Sequence, residues 1–330
     1  MITYESVTKT FGAGRTAVHA LREVSFEVPE GEVVVLLGPS GCGKTTTLRL
    51  TNRLERLTSG RILLQGRDIG GMNAVGLRRR MGYVIQEIGL FPNQTIARNI
   101  AQVPRLLKWP KSRIEERVDE MLRMVNLEPG TFRDRYPAEL SGGQQQRVGV
   151  ARGLAHDPEV LLMDEPFGAV DPINRARIQD EFLALQARLK KTVLFVSHDI
   201  HEAVKMGDRV ALFREGRLSQ YDTPEALLTR PKDRFTAEFV GADRALKVLG
   251  LLRVRDVMEA PDTAGPEPGE EGPSLHREDL LREALSVMLL HEETELPVLD
   301  EEGNREAVIT YRAIQSKLSG MAERDGETDR

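Results

Sequence analysis

The chain has 330 residues, 40% of them hydrophobic, one cysteine and a formal net charge of −5. That size suggests about two domains with an ordinary buried core. No apolar run exceeds the five residues Val33–Leu37, and no charged-then-apolar leader opens the sequence. A membrane-spanning or exported chain is therefore not expected. The lone Cys42 excludes an intramolecular disulfide.

The first strong element is Val33–Leu37, which is short, β-branched-rich and preceded by Pro29-Glu30-Gly31, as a buried parallel strand would be. It runs into Gly38-Pro39-Ser40-Gly41-Cys42-Gly43-Lys44-Thr45. A glycine-rich turn from strand to helix lets backbone N–H groups close around phosphate oxygens. Lys44 supplies a point charge to the β- and γ-phosphates, and the Thr45 hydroxyl is a Mg²⁺ ligand. Cys42 reads as a small packing residue within this loop, where alkylation would block ATP binding.

Further along, Ser112–Asn126 has the spacing of an amphipathic helix, and Pro129-Gly130 follows it. Ser141 in Leu140-Ser141-Gly142-Gly143-Gln144 reads as the cap of a new helix whose glycines allow close backbone approach. Val160–Met163 is a second apolar strand, and it ends in Asp164-Glu165. Carboxylates there lie at the carboxyl edge of the sheet, where open α/β folds bind ligands. Asp164 is placed to hold Mg²⁺, and Glu165 to reach the water that attacks the γ-phosphate, as base or as positioning group.

The second half changes character near residue 253. Residues 254–330 hold 20 acids and eight bases, a net of −12, while the remainder carries 38 bases against 31 acids, a net of +7. Such opposite charge offers a salt-sensitive contact. The segment 260–273 is rich in Pro, Gly and acid and reads as a flexible loop. Beyond it come a helix over Leu280–Leu289, a strand over Leu296–Asp300, a turn over Glu301–Asn304 and a strand over Ala307–Thr310. Residues 321–330 read as a disordered acidic tail.

The phosphate loop, the Leu140–Gln144 segment and the Val160–Glu165 strand end together resemble the ATPase subunit of ABC transporters. Leu-Ser-Gly-Gly-Gln is that family's signature. The resemblance implies a P-loop α/β fold with a RecA-like core from residues 1–86 and 158–240, antiparallel strands in the N-terminal part, and a helical insertion over about 87–157. It also implies a homodimer in which each ATP lies between one subunit's Gly38–Thr45 loop, continuing into Thr46, and its partner's Ser141, Gly142, Gly143 and Gln144.

Other family positions carry over singly. Phe11 matches the aromatic that stacks on adenine, although by itself it reads as core. Gln86 matches the glutamine that touches Mg²⁺ or the lytic water, and His198, after the strand Thr192–Val196, the histidine at the γ-phosphate. Asp171 matches the loop that communicates across the dimer, and it also reads as an Asx turn before Pro172. The catalytic set is thus Glu165, His198 and Gln86, with Mg²⁺ on Thr45, Gln86 and Asp164.

Residues 83–100 and 136–175 resemble more narrowly the importers of glycine betaine, carnitine or choline. Ile88-Gly89-Leu90-Phe91-Pro92 falls where such a cassette docks its membrane permease. That family also implies a separate substrate-binding protein, no nucleic-acid partner, and a peripheral place on the cytoplasmic face of the cell membrane. With 1–240 as the ATP-binding domain and 241–253 as linker, residues 254–320, with Val254–Met258 ahead of the 260–273 loop, resemble a single cystathionine-β-synthase-type (CBS) repeat. Such repeats pair, so pairing would be between subunits. Members that bind nucleotide there commonly place an acid three residues after the strand-ending Thr, whereas Thr310 is followed by Tyr311, Arg312 and Ala313. A structural or salt-sensing role is the better expectation.

Two rivals share these motifs. An importer ATPase for a polyamine, sugar or metal would have the same nucleotide site. A soluble ABC ATPase acting on DNA or ribosomes would also, but Lys44 and Ser141 are 97 residues apart with no long heptad insertion, and there is one phosphate loop.

Overall fold

The computed structural model describes the chain except residues 86–88, 169, 260–271 and 323–330. Gln86, Glu87 and Ile88, most of the 260–273 loop and most of the expected tail therefore lie outside the described residues. The chain divides into two compact units, Met1–Asp222 and Thr223–Arg330.

In the first unit, strands β1 (Ile2–Phe11), β2 (Val18–Val28), β4 (Ser59–Leu64) and β5 (Arg67–Asp68) form an antiparallel sheet in the order β2-β1-β4-β5. The second sheet is built from β3 (Val33–Leu37), β6 (Met81–Val84), β7 (Val160–Asp164), β8 (Thr192–Val196), β9 (Arg209–Arg214) and β10 (Arg217–Asp222). Its order is β10-β9-β3-β8-β7-β6, parallel except where β10 turns back on β9. Every residue of β3, β7 and β8 is buried. Two-sided burial is why these strands read as continuous apolar runs without alternation.

One core joins the two sheets. Tyr4 of β1 stacks on Phe26 of β2 at 4.2 Å, and Phe26 meets Phe213 of β9 edge-on at 6.3 Å. The Tyr4 hydroxyl is 2.6 Å from Thr51 Oγ1 at the end of helix α1 (Lys44–Thr51), which satisfies a polar group that would otherwise be buried alone.

Between β6 and β7 lies the helical insertion. It holds short helices at Ile96–Ile100, Gln102–Leu106 and Pro129–Phe132, and the longer α2 (Lys111–Met124) and α3 (Gly142–Leu154). The helix expected over Ser112–Asn126 is α2; it stops before Asn126, whose φ of 56° is left-handed. After β7 come α4 (Pro172–Leu189) and α5 (Ile200–Met206).

The division at Asp222 falls before the expected domain end at 240, and residues 241–253, read as linker, include the helix Arg244–Leu249. Helices Pro224–Thr229 and Arg234–Val240 precede it. Leu227, Leu228, Val240, Val248 and Leu249 are buried, so this stretch has apolar side chains enough to fold and does not behave as spacer.

The rest of the second unit is a small α/β module with strands β11 (Leu275–His276), β12 (Glu295–Leu299) and β13 (Arg305–Thr310). β11 runs parallel and β13 antiparallel to β12. Helices Leu281–His291 and Tyr311–Ala322 flank them. Val254, Leu275, Leu281, Met288, Val298 and Ile309 are buried within it.

Candidate functional site

Parallel pairing brings the carboxyl ends of β3, β8 and β7 to one edge of the sheet, and the chemistry-bearing residues follow those ends. Leaving β3, the loop bends through Gly38, Gly41 and Gly43, with φ of 142°, 78° and 111°. A Cβ on Gly38 would come within 2.4 Å of the Phe213 carbonyl oxygen, and one on Gly43 within 2.6 Å of that of Ala20. Side chains are excluded there both by conformation and by space.

Lys44 opens α1 and is only 5% exposed. Its ammonium donates to the carbonyls of Gly38 at 2.6 Å and Pro39 at 2.9 Å, and lies 3.8 Å from Cys42 Sγ. A buried cation curled into a glycine loop at a helix start is a cradle fitted to an anion. Burial pushes the Cys42 thiol up, partly countered by the Lys44 charge.

Thr45 Oγ1 donates to Asp164 Oδ1 at 2.9 Å, joining the phosphate loop to the end of β7. Asp164 is buried; that burial raises its carboxyl, the Thr45 hydrogen bond opposes the rise, and the Glu165 charge adds to it. A hydroxyl and a carboxylate are hard oxygen donors, the set Mg²⁺ takes when phosphates complete its shell. Among the described residues no cluster of three or more His, Cys, Asp or Glu offers a metal site without such phosphates.

Glu165 leaves the strand in a left-handed conformation, φ 43°, while its N–H still donates to the Val196 carbonyl at 3.1 Å. Phe167, fully buried two residues on, packs against Phe195 of β8 at 5.7 Å and anchors the turn. The Glu165 carboxylate lies 3.3 Å from Nδ1 of His198, whose ring is exposed just past β8. Lys44, Thr45, Asp164, Glu165 and His198 thus form one chain of neighbours.

The Leu140–Gln144 segment stands on another element. Ser141 caps α3: its hydroxyl accepts from Gln144 N at 3.3 Å, and its own N–H donates to Gln144 Oε1 at 3.0 Å. This reciprocal pair is a capping box, and Ser141 and Gly142 remain exposed.

Comparison with known proteins places this geometry. The ABC transporter family pattern matches residues 21–168. The chain is 51% identical over 304 residues to the osmoprotectant import ATP-binding protein OsmV of Salmonella typhimurium, covering 92% of this chain and 77% of that protein. It is 43% identical to the glycine betaine uptake system ATP-binding protein YehX of Escherichia coli, covering 92% and 95% of the two chains. The chain belongs to the ABC transporter family.

It is also 49% identical to the choline transport ATP-binding protein OpuBA of Bacillus subtilis over 75% of this chain, but spans only 64% of that relative's length. A solved dimeric ATP-binding cassette, MJ0796 in a post-hydrolysis state with ADP and Pi, superposes with TM-score 0.61 at 32% identity, covering 68% of this chain and 99% of that one. The first unit therefore has the nucleotide-using, ATP-hydrolysing fold of ABC transporter ATPases.

The remaining expected positions of the ABC site are partly described. Phe11 ends β1 and is 40% exposed, with the Lys9 ammonium 4.3 Å from its ring centre, so it is not core. Asp171 caps α4, accepting from Asn174 N at 3.1 Å; this is a helix N-cap bond three residues on, where the expected Asx turn bonds two residues on. Gln86 is outside the described residues.

Three neighbours escaped the sequence. Tyr83 on β6 is pushed up to about 12, first by burial and then by the Asp164 charge. Fully buried Asn99 accepts from Phe91 N at 2.7 Å and donates to the carbonyls of Phe91, Gln94 and Thr95, each at 3.1 Å. Arg152 of α3 donates to the Gly89 carbonyl at 2.6 Å. These tie residues 89–95, where Phe91 is exposed, to the insertion.

Proposed function

We propose that the chain is the ATP-hydrolysing subunit of an importer for quaternary-amine osmoprotectants of the glycine betaine, carnitine and choline class. The observation that carries this reading is the reach of the similarity: proteins named for osmoprotectant import and glycine betaine uptake align over 92% of the chain, beyond the cassette and into the C-terminal unit.

In this reading Lys44 exchanges the Gly38 and Pro39 carbonyls for phosphate oxygens of ATP, and Gly38 to Thr46 wrap the phosphates by backbone N–H groups. Phe11 stacks on adenine. Thr45, Asp164 and Gln86 hold Mg²⁺, which when bound neutralises phosphate charge. Glu165 accepts a proton from, or orients, the attacking water, and His198, 3.3 Å away, contacts the γ-phosphate. The Asp164–Thr45 bond holds these two Mg²⁺ ligands side by side.

Ser141 to Gln144 at the start of α3, of which Ser141 and Gly142 are exposed, serve the site of a second copy in a head-to-tail homodimer, and Asp171 lies at that interface. The dimeric state of a solved cassette relative supports this arrangement. The partners are permease subunits docked at residues 88–92 and, through them, a substrate-binding protein. No helix of the described residues is long and apolar enough to cross a membrane, which fits a peripheral subunit on the cytoplasmic face of the cell membrane. The acidic C-terminal module, with Tyr311-Arg312-Ala313 after β13, is assigned a structural or ionic-strength-sensing role and no nucleotide.

The test is uptake of labelled glycine betaine, carnitine and choline into vesicles carrying this chain with its permease and binding protein, across a salt series. ATP-dependent uptake that rises with salt supports the reading. ATPase activity with no uptake of any of the three removes the solute class and leaves the cassette.

A further inference from the structure

The His198 turn is held by a buried polar chain that reaches helix α4. Ser197 is 1% exposed; its N–H donates to the Leu36 carbonyl at 3.0 Å, and its hydroxyl accepts from Asp199 N at 3.0 Å. That hydroxyl donates in turn to Glu202 Oε2 at 2.6 Å, and Glu202 Oε1 accepts from Gln179 Nε2 at 3.2 Å. Glu202 on α5 and Gln179 on α4 are 8% and 5% exposed.

The chain ends at Gln179 on α4, and the start of the same helix is tied separately to the loop before Asp171. Arg175, one turn into α4, donates to the Val170 carbonyl at 2.9 Å. Burial raises the Glu202 carboxyl; the Ser197 hydrogen bond and the charges of Arg175 and His198 oppose the rise, and Asp199 adds to it. Lys205 of α5 adds an ion pair to Asp180 of α4 at 2.7 Å.

We propose that Glu202 is a positioning residue for ATP hydrolysis, fixing the His198 turn to the helix that begins at Asp171 through the chain Ser197–Glu202–Gln179. A buried carboxyl whose direct partners are a hydroxyl and an amide is a costly way to fill a core, because neither partner offsets its desolvation with charge. Its geometric effect is specific. It fixes Ser197, next to His198, to Gln179 on the helix that Asp171 caps, so a displacement of α4 reaches the His198 turn through Gln179 and Glu202, beside the Lys205–Asp180 pair. The inference rests on the reading of His198 as the group at the γ-phosphate.

The experiment is steady-state ATPase kinetics of the full chain for Gln179→Leu, Glu202→Ala, Glu202→Gln and His198→Ala, and of Glu202→Ala combined with His198→Ala. We expect Gln179→Leu and Glu202→Ala each to lower kcat about tenfold or more with KM for ATP nearly unchanged, since small misplacements of a reacting group are expensive. Glu202→Gln keeps the size, with its oxygen accepting from Gln179 and its amide donating to a turned Ser197 hydroxyl, and restores most of the rate. Glu202→Ala adds no further loss once His198 is Ala. Normal kcat in His198→Ala overturns the assignment of His198 itself. A slow His198→Ala beside normal Gln179→Leu and Glu202→Ala overturns the positioning role alone, as do losses that multiply in the double variant. Should Glu202→Ala not fold, Ser197→Ala replaces it in the same comparison.

Discussion

Glu165 Oε2 stands 3.3 Å from His198 Nδ1, so the residue that ends β7 and the residue that follows β8 meet over the carboxyl edge of the sheet. The two strand ends are already joined, because Glu165 N donates to the carbonyl of Val196, two residues before His198, at 3.1 Å. The left-handed φ of 43° at Glu165 breaks the strand at the point where its side chain is needed beside the imidazole.

Glu165→Gln removes the proton acceptor and keeps the size of the side chain. ATP turnover should fall about 10²- to 10⁴-fold, the usual contribution of a positioned base, while ATP binding persists. Single-turnover hydrolysis together with nucleotide-binding titration checks both. Normal turnover would remove Glu165 from the chemistry and leave its bond to His198 structural.

Gly43→Ala and Gly38→Ala should abolish nucleotide binding and also cost stability. Each new Cβ meets a backbone carbonyl oxygen, that of Ala20 at 2.6 Å or of Phe213 at 2.4 Å, in a conformation that L-residues avoid. Strain of this kind costs about 1–3 kcal/mol per site. Gly41→Ala is the contrast: nothing lies within 4 Å of its Cβ, so only the φ of 78° is penalised. Denaturant unfolding of the three variants should rank Gly41→Ala as the mildest.

Much of this site was legible because its parts are local. The five buried residues of β3, the glycine turn and Lys44 are contiguous, and Ser141 with Gln144 forms a capping box within four residues. Asp164 and Glu165 could be placed because a buried strand end is visible as an apolar run meeting acid. Strand order was not legible: nothing in Met81–Val84 announces that β6 pairs with β7 and sets Tyr83 beside Asp164. The helix Arg244–Leu249, inside the stretch read as linker, was lost for a related reason, since Gly241, Gly250 and interspersed charge around its short apolar run imitate a linker.

Phe11→Ala should weaken ATP binding and leave inorganic triphosphate binding unchanged. The ring is 40% exposed with Lys9 4.3 Å from its centre, so its removal leaves no large cavity. Stacking of a base on an aromatic ring contributes about 1–3 kcal/mol, which corresponds to roughly 5- to 150-fold in affinity. Equal affinity of the variant for ATP would place the adenine elsewhere. A matched drop for triphosphate would point to Lys9 and the phosphate end.

Cys42 should alkylate slowly, and with a pH dependence displaced upward. Only the thiolate reacts, and burial raises this thiol above its ordinary value, so at neutral pH its thiolate fraction is smaller than that of an exposed cysteine. The reaction rate with iodoacetamide should therefore climb at higher pH than for a free thiol and reach the free-thiol profile in denaturant. Lys44, whose ammonium lies 3.8 Å from the sulfur, is the charge that partly restrains the rise. When Lys44 turns to phosphate oxygens that restraint weakens, so ATP should slow the modification further. Once formed, the adduct has no room: the sulfur is 2.9 Å from where a Cβ of Gly38 would stand, beneath the phosphate loop. Modified protein should lose ATP binding in proportion to thiol lost. Rapid alkylation at neutral pH, unaffected by ATP, would mean that the loop opens far enough to expose Cys42 and that Lys44 does not govern it.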